Sequence, residues 1–276
     1  ASWTAKLAVC QATRLSAGGE VDNLKADKGS GLEDIDGSEH VRYEKAWADI
    51  RRVFCPPLDV DLRLGVAEMA DDEDIVLYRV SLDSRLGDSL NAILESRYDF
   101  YTISPRAVSL GIKQQANSLR VLWTPDVRYT LDSLLGYEHY SDRNDRWEAV
   151  LSPRAAILRN QWLNLDAGPQ MWWFGFDEDM DNGYYDPLHY QRYAVNAYAY
   201  LKLNANNGIG LTGSVGAQKD DANPNYIFGA SYDVEAKFGV YRDWMLRLRY
   251  GATHNVSALT GDFDARIFEA QLAKRF

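Results

Sequence analysis

Side chains able to do covalent or metal chemistry are few and scattered in this sequence. Its four histidines (His40, His139, His189 and His254) form no HExxH pair, and its two cysteines, Cys10 and Cys55, form no CxxC. Such spacing predicts no metal centre. A GxSxG elbow, a phosphate-binding loop and a dinucleotide-binding glycine pattern are also missing, so neither a catalytic residue nor a cofactor is expected. What recurs instead is a charged residue at every second position. Asp59, Asp61 and Arg63 interleave with Leu58, Val60, Leu62 and Leu64. Asp233, Glu235 and Lys237 interleave with Tyr232, Val234, Ala236 and Phe238, and Arg247 and Arg249 with Leu246 and Leu248. The chemistry open to such rows is electrostatic and hydrogen-bonding rather than covalent.

Rows of this kind require β-strands, because only a period of two sends neighbours to opposite faces. Leu163–Trp173, Val195–Leu203 and the long run Asn225–Arg242 repeat the alternation. Near the C-terminus Phe268, Ala270, Leu272 and Phe276 oppose Glu269, Gln271 and Arg275. Lys274 falls on the apolar side, where its stem can snorkel to an interface. No stretch holds the roughly 18–20 apolar residues of a membrane helix. Hydrophobic residues make up 46% of the chain while mean hydropathy is −0.39, the dilution that alternation produces in a barrel. A soluble sandwich would have to bury the charged rows, at several kcal/mol per ion unless paired. The reading is therefore all-β: a transmembrane antiparallel β-barrel of the bacterial outer membrane, one domain over 1–276, facing lipid outside and water inside. Tight turns are expected at Thr124–Asp126, Asn204–Asn207 and Tyr241–Asp243, and longer loops near 140–145, 176–190, 218–225 and 258–264. Fifteen strands can be counted. One more in the first 56 residues, where the pattern is poor, gives about 16, an even number as bacterial barrels favour. The acidic, glycine-containing segment 15–40 reads as a mobile loop.

A net charge of −10 argues against nucleic acid, which is bound through Lys and Arg. It suits a cationic partner, or is simply a solvated acidic surface. Cys10 and Cys55 form one disulfide in an oxidising compartment or are two buried thiols. Ala1 begins the sequence without a visible leader; the expectation is a leader already removed, or the C-terminal piece of a longer protein.

Two stretches resemble known families. Gly136–Ser141 looks like the His-x-Ser strand end of outer-membrane phospholipase A, which would make His139 the base for a Ser141 nucleophile. Asp142-Arg143 stands where that family has Asn-Gly, and Leu151-Ser152-Pro153 lacks its polar residue for orienting the histidine. A surface histidine at a strand end is the commoner explanation for His139. The broader resemblance covers Leu119–Phe276. Trp123-Thr124-Pro125-Asp126, Tyr140–Arg146 and Asn182-Gly183-Tyr184-Tyr185-Asp186-Pro187 are similar, in order and spacing, to the C-terminal barrels of tetratricopeptide-repeat exopolysaccharide export porins, the exporters of poly-N-acetylglucosamine, Pel and cellulose. Arg143 takes the place of that group's glycine, and the first 100 residues do not align. The resemblance implies sixteen strands and passage of a biofilm polysaccharide to the cell surface. Its implied partners are outer-membrane lipids, a periplasmic helical-repeat domain, and a lipoprotein or polymer-modifying enzyme. A small-solute porin is the rival reading.

For a sugar polymer, parity selects Trp172, Phe174, Tyr198 and Tyr200 as lumenal stacking faces. Asp59, Asp61, Asp132, Glu148, Asp166, Asp233 and Glu235 would add negative potential. Asp177, Glu178, Asp179 and Asp181 would focus it at the mouth. The loop bearing Tyr184 and Tyr185 would act as part of the mouth, or as a plug. An acidic lumen would favour a partly deacetylated, cationic amino-sugar polymer. Alternatively Arg63, Arg154, Arg247 and Arg249 pair with these carboxylates and merely fill the interior.

Overall fold

A computed structural model describes residues 13–25, 40–54, 58–69, 74–180, 182–240, 244–257 and 261–274. Cys10, Cys55, Asp181, the turn at 241–243 and Phe276 lie outside these residues, so the disulfide expectation does too. The chain forms β1 (Thr13–Lys25), β2 (His40–Phe54), β3 (Leu58–Met69), β4 (Asp74–Arg85), β5 (Leu90–Phe100), β6 (Lys113–Asp126) and β7 (Tyr129–Tyr140). It continues with β8 (Asp145–Arg159), β9 (Leu163–Phe176), β10 (Tyr190–Asn204), β11 (Asn207–Lys219), β12 (Ile227–Phe238), β13 (Trp244–Ser257) and β14 (Gly261–Lys274). A short helix α1 (Pro105–Ser109) interrupts the series between β5 and β6. The fourteen strands make one antiparallel sheet in strict sequence order.

The alternation sets the two faces of this sheet. Val66, Phe228 and Leu272 stand 58%, 64% and 66% exposed on one face, among many large apolar side chains. Left in water, such area would forgo about 25 cal/mol for every Å²; hydrocarbon removes that cost. Strands of 11 to 15 residues match or exceed the roughly 9–11 residues that cross a bilayer at a tilt. Connections alternate in length as well. After β6, Asp126 Oδ1 accepts from the amides of Arg128 and Tyr129 (2.6 and 3.1 Å). After β8, Asn160 Oδ1 caps Trp162 and Leu163, and after β10 Asn204 Oδ1 caps Asn206. The long connections 101–112, 177–189 and 220–226 follow β5, β9 and β11, so they leave the opposite ends of the strands.

Three details differ from the sequence reading. Residues 13–25 form a paired strand rather than a loop: Gly18 and Gly19 thin its pattern, and Gly18 is needed because a Cβ there would stand 2.8 Å from the Trp47 indole. The run Asn225–Arg242 is strand only over Ile227–Phe238; Gly239, at φ 72°, breaks it. The described residues hold fourteen strands against the expected sixteen, because each strand uses more chain and 105–109 is helical.

Two compact units account for the contacts. The first comprises 1–123, 133–149 and 174–188; the second comprises 124–132, 150–173 and 189–276. The first has a buried apolar core of Val41, Tyr43, Ala67, Ile75, Leu77, Phe100 and Val108. Val41, Tyr43, Ala67, Ile75 and Leu77 belong by parity and register to the polar face of β2–β4, yet they are apolar. Val108 of α1 covers them, and the helix leans on β2.

Candidate functional site

In the first unit three connections lock together over polar-face side chains. Ser104 caps α1: its Oγ accepts from the Ala107 amide (3.1 Å) and donates to the Gly183 carbonyl (2.5 Å). Pro105 opens the helix at the position where a missing N–H costs nothing. Gly183 sits at φ 81°, and a Cβ there would stand 2.5 Å from that of Arg106, so the loop tip can approach α1 only as glycine. Asn144 is fully buried. Its Oδ1 accepts from the Glu178 amide (3.1 Å), and its Nδ2 donates to the Glu178 carbonyl (2.8 Å) and the Tyr184 hydroxyl (3.2 Å). Tyr184 Oη donates to Asp142 Oδ2 at 2.7 Å. Burial, then this bond, raises the Tyr184 phenol above its ordinary range, so it stays a donor. Arg143, between Asp142 and Asn144, holds φ 75°; this is where the resembling exporters carry glycine.

An aromatic stack closes the same region. Tyr184 lies parallel to Tyr140 (5.4 Å, 13°) and edge-on to Tyr101 (5.4 Å, 87°), with Phe176 at 5.7 Å. Phe174 meets Tyr185 at 6.2 Å. Arg146 lies 4.7 Å from the Phe174 ring and is paired with Glu138 (2.9 Å) and Glu148 (3.2 Å). Asp186 is buried and accepts from the Met180 amide at 2.6 Å. Burial, with Asp179 and Asp142 adding like charge, pushes its carboxyl up to about 6. The sequence left plug or mouth open for Tyr184 and Tyr185; the structure buries Tyr184 in this lock. Asp177 and Glu178 contribute backbone groups to it.

Below the lock, the predicted acidic residues are largely matched by arginines. Asp59 pairs with Arg51 at 2.6 Å, and a recess of about 430 Å³ gathers both with Asp61, Arg79, Glu95 and Arg120. Arg63 pairs with Asp49 (2.6 Å) and Arg79 with Glu95 (2.7 Å). In the second unit Asp166 pairs with Arg159, Asp233 with Arg249 (2.6 Å), and Glu235 with Arg247 and Lys237. Asp132 lies on the polar parity of β7. The pairing alternative thus holds for Arg247 and Arg249, whereas Arg63 pairs with Asp49, outside the predicted set. The row is a ladder of alternating charge whose members remain partly solvated; pairs of this kind contribute roughly 0–1 kcal/mol each to stability.

The aromatic candidates separate. Phe174 joins the lock, whereas Trp172 packs edge-on against Tyr190 at 5.3 Å in the second unit. Tyr198 and Tyr200 lie over Gly210 and Gly208, rings covering bare backbone across the β10–β11 pair. Sequence reasoning missed Ser104, Asp142, Asn144, Arg146 and Asp186. Ser104-Pro105 is a helix-start signature. Asp142, Asn144, Arg146 and Asp186 stand inside the two motifs that carry the exporter resemblance, but parity gives them no role; Asp142 and Asn144 meet Tyr184 from some forty residues away. His139 Nδ1 meets Asp145 Oδ1 at 2.6 Å, while Ser141 Oγ accepts from the Lys113 amide at 2.9 Å. Each has its own partner, and Asp145, six residues on, is the group that orients the histidine.

A polar face, an opposing apolar face and this strand order are those of the transmembrane β-barrels of the bacterial outer membrane. Comparison with known structures bears this out. The chain superposes on a solved bacterial polysaccharide outer membrane secretin with TM-score 0.73 and 13% identity, over 96% of this chain and 98% of that one. A NanC porin aligns at TM-score 0.43, with 11% identity over 73% and 93% of the two chains. The translocator domain of autotransporter NalP from Neisseria meningitidis aligns at 0.29, with 8% identity over 100% and 92%; both scores are too low to bear on this topology. No family model and no curated protein matches the chain.

Proposed function

We propose that this barrel exports an exopolysaccharide of the biofilm type across the outer membrane and is held shut by its own loops in the conformation described. One observation carries the reading: a polar wall of ion-paired ladders and ring-covered glycines, on a fold shared almost end to end with a polysaccharide secretin. Paired charges and exposed rings offer a sugar chain many weak contacts and no deep minimum, as a sliding polymer requires. Carboxylates exposed at the loop end (Asp177, Glu178 and Asp179) favour a partly deacetylated amino-sugar polymer at the mouth, where charge steers entry and exit. Within the ladder, arginines offset that preference. A periplasmic helical-repeat domain, with a lipoprotein or polymer-modifying enzyme, would deliver the chain from below.

The proposal assigns no hydrolytic role to His139 or Ser141, so replacing either by alanine leaves phospholipid hydrolysis at background. The deciding experiment deletes the gene and restores it. Surface polysaccharide should be lost and then recovered. Unchanged polysaccharide with altered uptake of small solutes would favour the small-solute porin instead.

A further inference from the structure

The charged ladders give way to small side chains in one part of the second unit. Pairing registers place Tyr198, Thr212, Asp233 and Gly251 in one row across β10–β13, and Asn196, Ser214 and Ser231 in the next. The side chains shrink to hydroxyls and a bare glycine there, leaving a recess of about 270 Å³ that Tyr232, Ala252 and Ile267 also line, so its walls are more apolar than polar. From Thr212 to Gly251 it spans two strand spacings, about 10 Å. Gly251 keeps it open: a Cβ at that position would stand 2.9 Å from Asp233 Oδ2.

We propose that this recess is a subsite for one uncharged sugar unit, a hexose or N-acetylhexosamine, of the exported polymer; the inference rests on the polysaccharide reading above. Hydroxyls of Thr212, Ser214 and Ser231 can both donate and accept, which matches the hydroxyls of a pyranose. Tyr198, lying over Gly210 at the end of the same row, offers a ring face beside them. Asp233 already holds Arg249 at 2.6 Å, so the recess has no spare negative charge with which to select an ammonium group.

Next to Ser214 two buried polar atoms lack a protein partner: Arg192 Nε, a donor, and Asn196 Oδ1, an acceptor. Arg192 spends its terminal nitrogen on Ser214 Oγ (3.0 Å), and Asn196 is the registered neighbour of Ser214. A buried polar group left unmade is costly, and these two, which are not among the residues lining the recess, mark the wall beside it as polar. Binding must remain weak, with Kd on the order of 1 mM, for the polymer to move on.

Saturation-transfer NMR on the full chain in detergent tests this, with cellotetraose, N-acetylchitotetraose and the glucosamine tetramer as probes. The neutral tetramers should bind, and the glucosamine tetramer no better than they do. Gly251→Val fills the recess and should weaken binding about tenfold. Gly213→Val, on the apolar face where an added Cβ meets nothing within 4 Å, should bind as the parent does. If Gly251→Val fails to fold, as judged by heat-modifiable gel migration, the paired Ser214→Ala and Ser231→Ala change replaces it, with a severalfold loss expected. Absence of binding by the neutral tetramers, tighter binding of the glucosamine tetramer, or parental binding by the filled variant would each overturn the subsite. Normal secretion alongside any of these results removes the subsite and leaves the exporter reading standing. Secretion unaffected by deletion of the gene removes the exporter reading itself.

Discussion

Asn144 in the first unit and Asn196 in the second are both polar residues set into the wall side of the molecule, and they are used in opposite ways. Asn144 spends its side chain on Glu178 and Tyr184, joining two connections into one closed body. Asn196 keeps a buried carbonyl oxygen with no protein partner beside hydroxyls and a glycine. The first arrangement satisfies itself; the second leaves a polar group unmatched beside the recess proposed for a sugar. On the proposed reading, closure and passage fall to different parts of one chain, and each can be altered without rebuilding the other.

The strongest way to break this contrast is to remove α1 and its flanks. Excising 102–111 behind a short glycine linker takes away Ser104 and Val108, and conductance in planar bilayers should rise roughly tenfold or more. Next comes Asn144→Ala. Leaving the Glu178 amide and carbonyl and the Tyr184 hydroxyl short of partners should cost closure about 2–3 kcal/mol. That would appear as frequent opening events in single-channel records of an otherwise quiet barrel.

Asp186 supplies a pH test. Its carboxyl is pushed up to about 6 in the closed loop, above the roughly 3.9 of an exposed aspartate, so the closed form binds the proton more tightly. Its contribution to closure is complete below about pH 4 and is lost as pH rises through about 6. Openings should become more frequent across that window, and Asp186→Asn should abolish the step. The smallest effect is expected in the ladder. Asp233→Asn with Glu235→Gln leaves Arg249 and Arg247 without those partners. Reversal potentials should shift modestly toward anions, while stability changes by about 1 kcal/mol or less. A cationic polymer should slow more than a neutral one; equal rates would remove any charge preference from this wall.

Legibility in the sequence followed the range of the interactions. Parity within a strand is local, so Asp233 against Val234 or Arg247 against Leu248 declares both faces, and the same alternation puts Tyr198 and Tyr200 on the polar face. β1 escaped because Gly18 serves Trp47 rather than the alternation. The lock escaped because Asn144 and Tyr184 are forty residues apart, and nothing near either one names the other. For the carboxylates the sequence leaves an acidic lumen and arginine pairing both open; the arginines sit on neighbouring strands, where only register reveals a pair such as Asp59 with Arg51.

The measurement closest to the centre of this picture is release of entrapped, long oligosaccharides from proteoliposomes. Vesicles holding the intact chain should retain them as protein-free vesicles do, and vesicles holding the chain without 102–111 should release them. Retention by the shortened chain, once its insertion and folding are verified, would contradict a polysaccharide path behind the lock.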